Sequence, residues 1–338
     1  RSSTLLRRNA ERVTLQGQAT ALASRPRASL AAVARAVFRV VAVVWGAATA
    51  GFVALRLIPG DPVDVMLGVQ ARVSESVRAE IRAEWGLDNP PVIQYFQYLG
   101  RLVTGDLGTS YQLRSPVSEI IADQAAPTVQ LTAAALVVAL LLALSAALLG
   151  RGRRASRVIS LLELVVISSP TFWVGLLLLA VFSFQLGWFP VTASAGFSAL
   201  VLPAVTLALP VAGILSQVLR QGLDHAERQP FALSARARGI TPAGLVRRHT
   251  LRHAAIDTVT LGGYLVGSLL GGAVLVETVF ARPGLGQVAI RAIIGRDLPV
   301  VLGVVVVAAV IFALLSVIVD ASYRALDPRL RFARRALS

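Results

Sequence analysis

Apolar residues along the chain gather into six stretches, approximately 37–57, 128–149, 158–186, 200–219, 258–280 and 300–323. Crossing about 30 Å of hydrocarbon takes about 20 mostly apolar residues as a helix, so each stretch predicts a transmembrane helix. The segment between the first two, 58–127, has a different pattern, rich in acids and aromatic residues. Ser74 suits an N-cap there, and Val77, Ile81 and Trp85 recur every fourth position, which predicts a short amphipathic helix over 74–85. A turn at Asp88, Asn89, Pro90 and Pro91 precedes a second helix over about 92–103. The expectation is an all-α, polytopic membrane protein with a small folded element between its first two spans.

Composition agrees with that pattern: 55% of the 338 residues are hydrophobic and 15% charged, with a net charge of +15. A soluble domain of this size carries about 25% charged residues. All 33 basic residues are arginine. The segments 1–39, 150–157, 220–257 and 324–338 hold 24 of them, alternating with arginine-poor segments on the other side. The positive-inside rule then places both termini in the cytoplasm. It makes 1–36 and 324–338 cytoplasmic tails, 58–127 an external loop and 220–257 the longest internal loop. Because the arginines are dispersed between apolar stretches, they do not form a nucleic-acid surface.

The missing lysine removes a P-loop, whose GxxxxGK[ST] pattern needs one to reach nucleotide phosphates. No cysteine is present, so thiolate nucleophiles, thiolate metal ligands and disulfides are excluded as well. His249 and His253 stand four apart, but HTLRH lacks the glutamate of an HExxH site, so no metal and no resident cofactor is expected; with His225 they read as cytoplasmic surface residues.

Within the internal loop, residues 230–238 predict a helix opened by Pro230, with Gly239 in the left-handed position that ends it. Thr241 and Pro242 can start another. Such a unit exposing Phe231, Ala235, Gly239 and Ile240 suits insertion into a partner's groove, with Arg236 and Arg238 meeting acids and Ala237 allowing close approach. The physics equally allows an arginine-rich loop lying on anionic headgroups.

Inside the spans, Gly263, Gly267 and Gly271 follow an i, i+4 spacing that favours close helix packing. Pro170, Pro203 and Pro210 permit kinks in the third and fourth spans. Glu163, Glu277 and Asp320 stand near span ends and are expected to face protein or water. Glu277, with Phe280, is a candidate for an external gate; pairing with Arg282 is the plainer expectation for it.

These residues carry a resemblance. FALSARARGI at 231–240 resembles the EAA loop of ABC importer permeases, in the form found in dipeptide and oligopeptide permeases, without the glutamate of the EAA name. RLIPGDP at 56–62, WGLDNPPVIQYFQYL at 85–99, GDLGTS at 105–110, VETVFARPGLGQ at 276–287 and LDPRLR at 326–331 are similar, in the same order, to signatures of the DppB/OppB-type permeases.

The resemblance implies the type I importer permease fold in a bacterial inner membrane. It implies a chain that is not itself an enzyme, paired with a second, DppC/OppC-like permease and two ATP-binding subunits or a fused pair. An extracytoplasmic binding protein would deliver a dipeptide or oligopeptide, and ATP and Mg would bind on the ATPases. Their docking site would be 231–240, and transport would run by alternating access. Haem or nickel are the alternative cargoes. The chemistry of the chain leaves two other classes to weigh, a secondary transporter working alone and a membrane-embedded enzyme. Against the first stands the lack of a mid-span carboxylate, and against the second the lack of any catalytic constellation.

Overall fold

The computed structural model describes residues 25–57, 63, 74–84, 87–191, 196–246 and 250–326. The N-terminal tail to residue 24, the LDPR-containing C-terminal end, Trp85 and His249 lie outside the described residues, as do the side chains of His253 and Asp320. Twelve helices are described: α1 Arg25–Arg56, α2 Glu75–Glu84, α3 Pro91–Val103, α4 Val117–Leu149, α5 Arg153–Ser168, α6 Thr171–Leu178, α7 Ser198–Glu227, α8 Pro230–Ala237, α9 Pro242–Leu245, α10 Leu251–Val279, α11 Leu285–Ile294 and α12 Leu298–Leu326. Five are long and apolar enough to cross a membrane, and six crossings result if the bent pair α5 and α6 counts as one.

That pair departs from the continuous crossing expected over 158–186. The two halves meet at 108°. Proline lacks the N–H that would continue the ladder and pushes the preceding residue out of the helical region. Ser169 is accordingly extended, at φ −83° and ψ 135°, in front of Pro170. Beyond α6 the helix relaxes into a π-helical segment, Leu179–Gln185.

The helix containing the second crossing starts at Val117, ahead of the expected position 128, because Pro127 is accommodated inside it. At 33 residues it is about 50 Å long, well beyond the hydrocarbon thickness. Its extra turns pack Val117 and Ile121 against Leu285 of α11 and Val300 and Val304 of α12.

The core is organised around α7. Ala135, Ala139, Ala143 and Ala147 of α4 recur at every fourth position and are buried, together with Leu131. Small side chains at i, i+4 spacing bring helix axes close. The stripe from Leu131 to Ala143, with Leu202, Ala204, Leu207, Ala208, Val211, Ala212 and Leu215 of α7 and Leu265, Leu269, Ala273 and Val276 of α10, forms the main apolar cluster, and Ala147 joins Leu219, Leu223, Val246 and Ala254 in another. Pro203 and Pro210 both sit inside the continuous α7. At its far end a Cβ on Gly222 would stand 2.9 Å from the Cβ of Ala254, so α7 and α10 nearly touch there.

The three glycines of α10 do not share one packed face in this way. Phe312 of α12 fills the space at Gly267, where an added Cβ would stand 2.2 Å from the ring, whereas nothing lies within 4 Å of a Cβ on Gly271. Gly263 is half-buried. Close packing is carried instead by the alanines of α4, because α7 lies along that stripe.

Candidate functional site

Three constructions stand out, and each contains a residue or motif singled out in the sequence. The first is the helix pair that follows α7. Helix α8 ends in a Schellman motif: Ile240 N–H donates to the Ala235 carbonyl at 3.2 Å and Gly239 N–H to that of Arg236 at 2.9 Å. Gly239 takes φ +78°, which side-chain-bearing residues rarely adopt. Helix α9 opens with Thr241 as N-cap, its hydroxyl accepting from Gly244 N–H at 3.2 Å, and with Pro242 in the first turn.

Ala232, Ala235 and Leu245 are buried in a small core of this pair, with Phe231 and Ile240 packed against it. The expectation that Ala235 is presented outward is therefore corrected, and Phe231 and Ile240 are only partly exposed. Their apolar groups close the turn upon itself, and the exposed surface is made by Leu233, Ser234, Arg236, Ala237, Arg238 and Gly239. Arg236 and Arg151 both pair with Glu227 at the end of α7, tying the pair to that helix and to the α4–α5 turn.

The second construction is a polar cleft of about 600 Å³ where α4, α5 and α7 meet. Glu163 is buried there and paired with Arg220 of α7, which also donates to the Ser160 hydroxyl at 3.1 Å. Glu163 thus faces protein and a polar cleft, as expected of a carboxylate near a span end. Among the described residues no cluster of three or more His, Asp or Glu has a metal-binding arrangement.

The third is a buried knot at the opposite end of α10. Glu277, fully buried, accepts from the Thr128 hydroxyl of α4 at 2.6 Å through Oε1 and from Gly286 N–H at 2.8 Å through Oε2. Thr128 Oγ1 in turn accepts from Leu285 N–H at 2.8 Å. The carboxylate therefore satisfies free donors in the first turn of α11, where the helix dipole favours negative charge. An added Cβ on Gly284 would stand 2.2 Å from the Glu277 carboxyl carbon, and one on Gly286 would stand 2.4 Å from the Cα of Val274. Both glycines of PGLG are thus required by the glutamate and the helix that carries it.

Arg282, the expected partner, makes no ion pair with Glu277 among the described salt bridges. Its Nε is buried without a hydrogen bond. Burial lowers the guanidinium pKa, and the charge of Glu277 opposes that shift. Phe280 is buried in the main cluster, in contact distance of the space above Gly175 in α6. Neither candidate gate residue lies on an open surface.

A fourth carboxylate had no counterpart among the sequence-level candidates. Asp297, buried between α11 and α12, accepts from the Ser110 hydroxyl and from the backbone N–H groups of Tyr111 at 3.1 Å and Gln112 at 3.3 Å. Gln112 Nε2 donates to the Gly295 carbonyl at 2.6 Å. The GDLGTS motif builds this clasp: Gly105 and Gly108 take φ +79° and +85°, and Asp106 Oδ1 accepts from Gly108 N–H at 2.8 Å. Burial, and secondarily Asp297, push the Tyr111 phenol up to about 12. Its separation of 187 positions from Ser110 hid Asp297; an acid after Gly295 and Arg296, just ahead of an apolar span, was the available signal.

Residues 102–332 match the family described as binding-protein-dependent transport system inner membrane component. The chain belongs to that family. This permease is 36% identical, over 83% of its length and 92% of the relative's, to the glutathione transport system permease protein GsiC of Salmonella choleraesuis (strain SC-B67). It is 35% identical, with the same coverage, to a protein of Brucella suis biovar 1 assigned as a peptide permease. Among solved structures, the inward-facing MetNI methionine ABC transporter has a similar fold, with a TM-score of 0.51 at 20% identity over 62% of this chain and 96% of that one. The molecule is a multi-pass permease subunit of an ABC importer of the bacterial inner membrane, with the type I importer permease fold.

Proposed function

We propose that this permease forms half of a translocation pathway for short peptides and that its motor is on other chains. The observation that carries the reading is the α8–Gly239–α9 unit. It has its own apolar core and is tethered to α7 through Glu227, so a force applied to it passes to the central helix. Its exposed Leu233, Arg236, Ala237 and Arg238 form a small surface fit for a groove with acidic edges. Two ATP-hydrolysing subunits, binding ATP and Mg themselves, dock one at this unit and one at its counterpart on a second permease of the DppC/OppC kind. The arginine distribution supports a cytoplasmic position for the unit. An external binding protein delivers the cargo.

Relatives named for glutathione and for peptides support a short peptide as that cargo. Alternating access requires an element whose two positions bind the motor with different energies. The glycine-terminated α8 is our candidate for it, and the knot at Glu277 and Phe280 our candidate for holding the outer end. The chain itself contributes no catalysis in this scheme.

Co-purification tests the assembly. Tagged full-length permease should recover two ATPases and a second permease, and the reconstituted complex with its binding protein should raise ATP hydrolysis on addition of dipeptides, oligopeptides or glutathione. Stimulation by haem or nickel alone would overturn the peptide reading.

A further inference from the structure

We infer that α3 is an interfacial helix, seating an apolar arc among the lipids of the leaflet at the C-terminal end of α1. One arc of α3, with Tyr98, Leu99 and Leu102, packs on Val44, Ala48 and Phe52 of α1 and on Leu302 and Val306 of α12. Polar contacts fix that placement. Tyr95 and Thr49 share a hydroxyl hydrogen bond of 2.8 Å, and Arg56 donates to Gln94. The rings of Tyr95 and Tyr98 stand 5.4 and 5.9 Å from that of Phe52.

Depth decides what surrounds the helix. Tyr98 clusters with Ala48, six residues inside the apolar span that ends at Ala54, and with Val306, eight residues inside the one that begins at Leu298. At 1.5 Å per residue these positions are about 9 and 12 Å below the ends of the two spans. The middle of α3 therefore lies at the level of acyl chains, within reach of the insertion depth of amphipathic interfacial helices.

At that level α3 leaves a second apolar arc uncovered: Val92, Phe96 and Val103 are 64%, 65% and 89% exposed. These positions fall within a narrow sector of a 3.6-residue period, with Gln97 and Arg101 about 100° or more away from Phe96. α1, on which α3 lies, also leaves Val41, Trp45 and Val53 uncovered, as a lipid-facing span does. The uncovered arc thus adjoins an uncovered apolar face of a span, while Arg101 on a long stem can reach headgroups. By the arginine distribution this leaflet is the outer one.

The chain has no cysteine, so introduced ones are unique within it. Val92→Cys, Phe96→Cys, Val103→Cys, Gln97→Cys and Arg101→Cys would each carry a nitroxide in the assembled transporter, with other subunits free of cysteine, in phosphatidylcholine–phosphatidylglycerol vesicles. Trp45→Cys, nine residues inside the span that ends at Ala54, supplies the lipid reference. Collision with oxygen should dominate at Val92, Phe96 and Val103 and collision with an aqueous nickel chelate at Gln97 and Arg101, so the ratio inverts around the helix. Nickel-dominated collision all round would overturn the inference in favour of a water-facing, binding-protein surface. Protection from both agents at Phe96, together with photocrosslinking from that position to another subunit, would overturn it in favour of a protein interface.

Discussion

Glu277 and Gly286 are joined by a hydrogen bond of 2.8 Å, from the Gly286 N–H to the glutamate's Oε2, at a point where a Cβ on residue 286 would sit 2.4 Å from the backbone of Val274. One contact therefore explains two letters of the VETVFARPGLGQ signature. The glutamate caps α11, and the glycine lets the cap come close.

Thr128→Val should destabilise the permease by about 2 kcal/mol, because it leaves a buried carboxylate oxygen and the Leu285 N–H without a partner in an otherwise isosteric site. Thr128→Ser should restore most of the loss, and the midpoint of thermal unfolding in detergent would report both. Gly286→Ala should be worse, about 3 kcal/mol or more, since the obstacle is backbone. Equal stability of Thr128→Val and the parent would contradict the knot.

Asp297→Asn and Ser110→Ala should each cost about 1–3 kcal/mol, since the partner groups are buried. The two substitutions should be strongly non-additive, with a coupling of about 0.5–3 kcal/mol in a double-mutant cycle. Additive losses would show that the clasp does not act as one unit.

At Gly239 the surroundings are open, with nothing within 4 Å of an added Cβ, so only the positive φ resists substitution. Gly239→Asn should be tolerated, whereas Gly239→Val should cost about 1–2 kcal/mol locally while leaving the spans assembled. Under the proposed coupling role, the valine variant should hydrolyse ATP without matching uptake in proteoliposomes. Normal uptake would remove that role.

Removing one partner of the Arg220–Glu163 pair strands a buried charge, and Arg220→Met should therefore cost about 3–5 kcal/mol. Replacing both partners, as Glu163→Leu with Arg220→Met, should recover most of that loss. Persisting instability of the double variant would mean that the pair also holds the cleft open through Ser160.

Local chemistry was legible from the chain alone where residues restrict their own backbone, but not where side chains pair, even at the nine positions that separate Glu277 from Gly286. The turn from Ala235 to Gly244 could be written down in advance, since proline, glycine and threonine restrict the backbone through their own covalent structure. The apolar pattern likewise determines where the apolar segments lie and that they are helical, because each must satisfy its backbone internally in lipid. Pattern alone could not show that Ser169 and Pro170 break a span by 108°, since proline is accommodated within α4 and α7 and not there.

Which side chains meet across the fold was decided only in three dimensions. Gly263, Gly267 and Gly271 and the alanines of α4 are equally good packing stripes in sequence; α7 lies on the alanines, and Phe312 occupies the space at Gly267. Glu277 could be read as a gate or as a partner of Arg282 until Thr128, 149 positions away, supplied the donor. The sequence determined that this is an arginine-rich helical membrane protein with a glycine-ended helix in its longest arginine-rich loop, because periodicity, charge and local backbone restriction act within a few residues. Tertiary structure decided the partners of Glu277, Asp297 and Glu163, because a buried carboxylate is stabilised by whichever distant donors the packed helices bring to it.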